Sequence, residues 1–216
     1  MTVRKGEPWG APATTPPDIE ITGDDAALAA LLPAHQGAVA RFRPSQSDLA
    51  KALGIAADGT PSGVALPIDA IAVAATYAVN MVVLGTAPGR LRATSRRHQL
   101  RVLVDSREVF VGRATSVVIA NGQFLDDGDL VPRGHPGDGR LEVQVYALRP
   151  RERRAMRSRL PSGTHLPHPR INATSGRIID VETDGRAIAC SFDGHPAGRR
   201  TEVHAAVVPS ALRLLA

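Results

Sequence analysis

Several stretches of this 216-residue chain carry side chains able to do chemistry. Thr22-Gly23-Asp24-Asp25-Ala26 sets two carboxylates directly before the apolar run 26–32. An aspartate there caps a helix and complements its positive dipole end. Ser45-Gln46-Ser47-Asp48 precedes a second helical run that stops at Gly54, with Ser47 or Asp48 as its cap. Asp193-Gly194 reads as a hairpin turn, and His195 after it is either an exposed turn residue or a base working near neutral pH. The loop 126–138 holds Asp126, Asp127, Asp129 and Asp138. Clustered oxygens suit Ca²⁺ or Mg²⁺, but the spacing is not that of an EF-hand, and a solvated Gly/Asp turn is the plainer reading.

Other groups are weaker candidates. His165-x-x-His168 sits among Pro161, Pro167 and Pro169, which forbid a regular helix, and no third ligand follows. Zinc needs at least three protein ligands. Cys190 is the single cysteine, which excludes an internal disulfide, and in the strand-like run 187–192 it reads as a small buried apolar residue. Residues 149–160 are the most basic segment. Read as a helix after Pro150, they put Arg153 and Arg157 on one face and Met156 and Leu160 on another. With Arg151 and Arg154, that helix is expected to contact an anionic surface, the bland alternative being ordinary solvated arginines.

Charge supports this placement. Residues 1–90 hold 6 Lys/Arg against 8 Asp/Glu and residues 91–216 hold 20 against 13, net charges of −2 and +7. A basic half suits an anionic lipid or a phosphorylated small molecule. Aromatics at 3% argue against a base-stacking platform, so nucleic acid is not the expected partner. No apolar stretch approaches the roughly 20 residues that span a bilayer, and no apolar core follows the basic pair near the start. The expectation is a cytoplasmic protein with peripheral contact at the inner face of the membrane.

The elements that must position these groups follow from local pattern. Residues 1–17 read as an extended Pro/Gly/Ala/Thr arm, whose Trp9 either folds back onto a groove or a partner chain or belongs to a disordered tail. Residues 18–62 give strand, helix, strand, helix. From residue 63 onward short β-branched runs bounded by Asn, Gly, Asp and Pro imply an antiparallel sandwich. At its centre lies 115–148, where Val117-Val118-Ile119-Ala120 stops at Asn121-Gly122 and the alternating Leu141, Val143, Val145 return. An exposed sandwich edge would allow a homodimer.

Asn121-Gly122, the return strand Asp138-Gly139-Arg140-Leu141-Glu142-Val143, Gly163-Thr164-His165-Leu166-Pro167-His168-Pro169 and Phe192-Asp193-Gly194 occur in the order found in the diacylglycerol kinase, sphingosine kinase and bacterial lipid kinase family, which the chain resembles over about 18–216. The resemblance implies an α+β, mainly β fold: a reduced α/β nucleotide-lobe segment over 18–62, then a β-sandwich over 63–216 whose last strands return to the first lobe. It also implies ATP and Mg²⁺ as cofactors if the chain is active. Asp24, Asp48 and His195 then stand at catalytic positions, and Gly23, Asp24, Ser45, Ser47, Asp193 and Gly194 face the nucleotide. A structural Mg²⁺ maps to Asp138 with the carbonyls of His135 and Arg140. The family's Gly-Gly-Asp-Gly-Thr turn reads Thr22-Gly23-Asp24-Asp25-Ala26 here, its Gly-Thr-Gly-Asn-Asp turn is shortened around Asp48, its Asp-Gly-Glu reads Asp193-Gly194-His195, and its first strand has only the Pro-rich arm opposite it. These departures imply a catalytically impaired member that binds a lipid, a phosphate ligand or a partner. The alternative is an active ATP-dependent lipid kinase with His195 as a substitute base.

Overall fold

The computed structural model describes residues 9–13, 16–58 and 63–215. The first segment runs β1 (Ala11–Pro12), β2 (Ile19–Asp24), α1 (Asp25–His35), β3 (Val39–Gln46) and α2 (Asp48–Leu53). Next come β4 (Val64–Val73), β5 (Thr76–Ala78), β6 (Met81–Gly85), β7 (His98–Val104), β8 (Arg107–Ala114) and β9 (Ser116–Ala120). A small hairpin, β10 (Phe124–Leu125) and β11 (Gly128–Asp129), precedes β12 (Leu141–Tyr146) and α3 (Glu152–Arg159). The chain closes with β13 (Ile171–Gly176), β14 (Ile178–Thr183), β15 (Ile188–Phe192), β16 (His195–Arg200) and β17 (Glu202–Leu215).

Two large sheets result. One follows the order β1-β4-β17-β14-β7-β8, with β3 and β2 attached in parallel through β17 and β5 paired to β4; the other is β13-β12-β9-β6-β15-β16, antiparallel throughout. Their facing sides interdigitate in one apolar core: Val102, Ile179 and Val203 from the first sheet meet Val82, Val117 and Val143 from the second. The alternation in β12 explains the second layer. Val143 and Val145 point into the sandwich, while Gln144 and Tyr146 point the other way, into an apolar cluster with Met156 and Leu160 under α3. A third cluster, with Leu28, Leu32, Phe42 and Leu49, packs α1 and α2 on β3 and the end of β17. Each such fully buried aliphatic side chain contributes roughly 1.5–3 kcal/mol.

Several sequence expectations need adjustment. Residues 64–73, expected as short runs, form one continuous β4, and Ser45-Gln46, expected just ahead of the second helix, extend β3. The strands β13 and β16 were not foreseen; β16 holds Pro196, which an edge position tolerates because no ladder donor is needed there. The final strand runs to Leu215, bulges between Val208 and Leu212, and pairs with β14, β4 and β3 in turn. Trp9 packs against the α1/α2 cluster and edge-on to His135, with ring centroids 4.5 Å apart.

Candidate functional site

Three strand-to-helix or hairpin turns meet at one end of the molecule. Asp24 caps α1: its Oδ1 accepts from the Ala27 amide at 2.9 Å, and its Oδ2 lies 2.8 Å from His195 Nε2, across 171 positions of sequence. Burial works against ionisation of Asp24, yet the Ala27 amide and the His195 ring together hold its carboxyl below the usual carboxylate range. Gly23, at φ +153, is needed there because a Cβ would lie 2.7 Å from that of Ala27.

Asp25 turns the other way. Its carboxylate is 5% exposed and accepts from the Ser47 hydroxyl and, at 3.2 Å, from the Leu49 amide, so it sits on the first turn of α2. Ser47 in turn caps α2 by accepting from the Ala50 amide at 2.8 Å. Burial pushes the Asp25 carboxyl up to about 6, with Asp48 and Asp24 adding to the shift against the pull of its two donors. Asp48 is also raised by burial, with the Asp126 amide, bound to its Oδ2 at 3.0 Å, pulling the other way.

The Asp193 carboxylate is turned onto the backbone. Its two oxygens accept from the amides of Val79, Asn80 and Met81 at 2.8–2.9 Å and fix the entry to β6. Burial pushes it up to about 7 despite those three donors. Gly194 and Asp193, both at positive φ, make the turn that carries His195 outward, where its side chain is 61% exposed. Beside the Asp24–His195 pair lies a groove of about 300 Å³ lined by Ala26, Ala29, Pro33, Tyr77, Phe192 and Pro196. Ser45 is exposed near the end of β3 and forms no part of this cluster.

The remaining candidates lie elsewhere. Asp138 folds onto its own turn, accepting from the Arg140 amide at 2.9 Å, and the His135 carbonyl accepts from the Gly137 amide at 2.9 Å. Asp126 and Asp127 form the tip of the β10–β11 hairpin and pair with Arg90 and Lys51. No three His, Cys, Asp or Glu side chains are grouped to hold a metal among the described residues. His165 is buried and stacked on Tyr146, while His168 accepts from the Arg170 amide. Cys190 lies in the sandwich core, where burial raises its thiol pKa.

Arg153, expected at the surface, is 2% exposed. Its guanidinium donates to the carbonyls of Arg92, Ala93 and Ser95 at 2.8–2.9 Å, whereas Arg151 and Arg154 are exposed and Arg157 is half-buried. Sequence reasoning missed Asp69 and Asn80. Asp69, 1% exposed in an apolar strand, accepts from the amides of Ser210 and Gly139 and so ties β4 to the β17 bulge and to the loop before β12. A lone aspartate inside the run 64–73 was the available signal.

Residues 62–216 match the YegS C-terminal NAD kinase beta sandwich-like domain. The chain belongs to this family. No curated protein matches the sequence. Among solved structures, a diacylglycerol kinase from Bacillus anthracis str. Sterne superposes with a TM-score of 0.72 at 14% identity, covering 92% of this chain and 76% of that one. A yeast NADH kinase complexed with NADH gives 0.51 at 13% identity, over 92% and 61%. An NAD kinase from Archaeoglobus fulgidus in complex with ATP gives 0.51 at 12%, over 92% and 78%. The expected mainly β, diacylglycerol-kinase-like fold is therefore met.

Proposed function

We propose that this YegS-family chain binds a lipid and does not phosphorylate it, because its nucleotide turn is closed by one of its own carboxylates. The observation that carries this reading is Asp25 seated on the Ser47 hydroxyl and the Leu49 amide. A phosphate at such a turn needs free amides and an unopposed positive dipole end. Here a carboxylate already takes both, and it stands where the resembling family has glycine. Each phosphate charge brought within about 4 Å of Asp25 is opposed by about 4 kcal/mol at an effective dielectric of 20. With both Asp24 oxygens engaged, by the Ala27 amide and the His195 ring, this arrangement does not fit a magnesium triphosphate. The alanine- and proline-lined groove at His195 supports an apolar ligand.

One observation favours the alternative, an active lipid kinase. Asp24 accepting from His195 Nε2 leaves Nδ1 free to take a proton from a hydroxyl. Isothermal titration with Mg²⁺-ATP and Mg²⁺-ADP separates the two. The closed-turn reading expects no saturable heat with the wild type up to millimolar nucleotide, and binding gained by Asp25→Gly. Saturable wild-type binding that Asp24→Ala abolishes overturns it in favour of the kinase.

A further inference from the structure

Two arginine-bearing segments far apart in sequence form one surface. Residues 90–97 hold Arg90, Arg92, Arg96 and Arg97 and no carboxylate. In 149–159 the lone acid is Glu152, whose carboxylate is held by Arg170 at 3.2 Å and by the Arg149 amide at 2.7 Å. Arg153 joins the two: its bonds to three carbonyls of the first segment hold that loop down against α3. Arg153, Met156 and Leu160 therefore mark the inward side of α3, and Arg151, Arg154 and Ser158 lie exposed on the opposite side.

The chemistry of this face is narrow. Neither segment has an aromatic residue, an asparagine or a glutamine, so it offers neither base stacking nor an amide code for base edges. A broad positive face of arginines with no carboxylate left free matches the diffuse negative charge of an anionic bilayer. The face also borders the site: Arg90 pairs with Asp126 at 3.0 Å, and the Asp126 amide reaches Asp48 on α2. We propose that α3 and residues 90–97 are the face through which the chain docks on an anionic lipid surface. This holds whether or not ATP binds.

The test is vesicle flotation with phosphatidylcholine alone and with about 30 mol% phosphatidylserine, at salt from about 0.05 to 0.5 M, which shortens the screening length severalfold. Binding is expected only with phosphatidylserine and should fall with salt. The double variant Arg151→Gln/Arg154→Gln should bind about 30-fold more weakly, at roughly 1 kcal/mol per basic side chain near the surface. Arg107→Gln/Arg177→Gln, at the far end of the β7–β8 hairpin, removes the same charge and should change nothing. Absent binding, equal binding to both vesicles, an equal loss in the control variant, or tighter binding to a DNA duplex than to vesicles overturns the proposal.

Discussion

Asp25 and Asp193 keep carboxylates in surroundings that penalise charge, and the consequence is a pH dependence of known sign. Both bind a proton more tightly in the folded chain than in the unfolded one. Their contribution to stability is complete below about pH 4 and is lost as pH rises through about 6 for Asp25 and about 7 for Asp193. Asp24, held low, acts in the opposite sense: its contribution is present above the ordinary carboxylate range and lost as pH falls through its lowered value. In Asp25→Asn, the loss of unfolding free energy between pH 4 and 7.5 should shrink by about 3 kcal/mol, the equivalent of a shift from 3.8 to about 6. Urea melts at the two pH values measure it, and an unchanged slope would show that Asp25 is not the titrating group. The residue types at these turns were legible in the sequence. Their partners were not, because Asp24 meets His195, and Asp193 meets residues 79–81, only after the hairpin β15–β16 folds beside α1.

At the scale of elements, α3 depends on one buried cation. Arg153 gives its guanidinium to carbonyls of the 91–97 loop and, at 3.5 Å, to that of Leu148. Replacing it with Met preserves apolar bulk but leaves those acceptors without a donor, at about 1–3 kcal/mol each where water cannot reach. Arg153→Met should speed amide exchange across residues 91–97 and 149–160 while β6, β9 and β12 stay protected, as hydrogen exchange would record. Uniform loss of protection would mean that Arg153 supports the whole fold. Helical periodicity alone grouped Arg153 with Arg157 and away from Met156; the loop that covers Arg153 comes from some 60 positions earlier. A buried arginine and a solvated one look the same in a local pattern.

For the whole molecule, β17 is the strand that makes one body of two segments. It pairs with β14 and β4 of the sandwich, bulges where Ser210 donates to Asp69, and ends in parallel with β3. Leu212 and Leu214 then share a core with Leu28 and Phe42. Unfolding should accordingly be a single cooperative transition. Far-ultraviolet circular dichroism, which follows the sheets, and the fluorescence of Trp9, packed on the α1/α2 cluster, should give coincident midpoints. Separated midpoints would show that the two segments unfold independently. The sequence by itself determined that the chain is mainly β with two short capped helices, since β-branched runs, Asn-Gly and Asp-Gly turns and N-cap residues act over a few positions. It also determined that the basic charge lies in the C-terminal half. Only the tertiary structure decided that Asp25 occupies the start of α2, that Asp193 and Asp69 serve the backbone, and that Arg153 is buried. Those outcomes depend on which polar groups become enclosed together, and enclosure is a property of the packed chain.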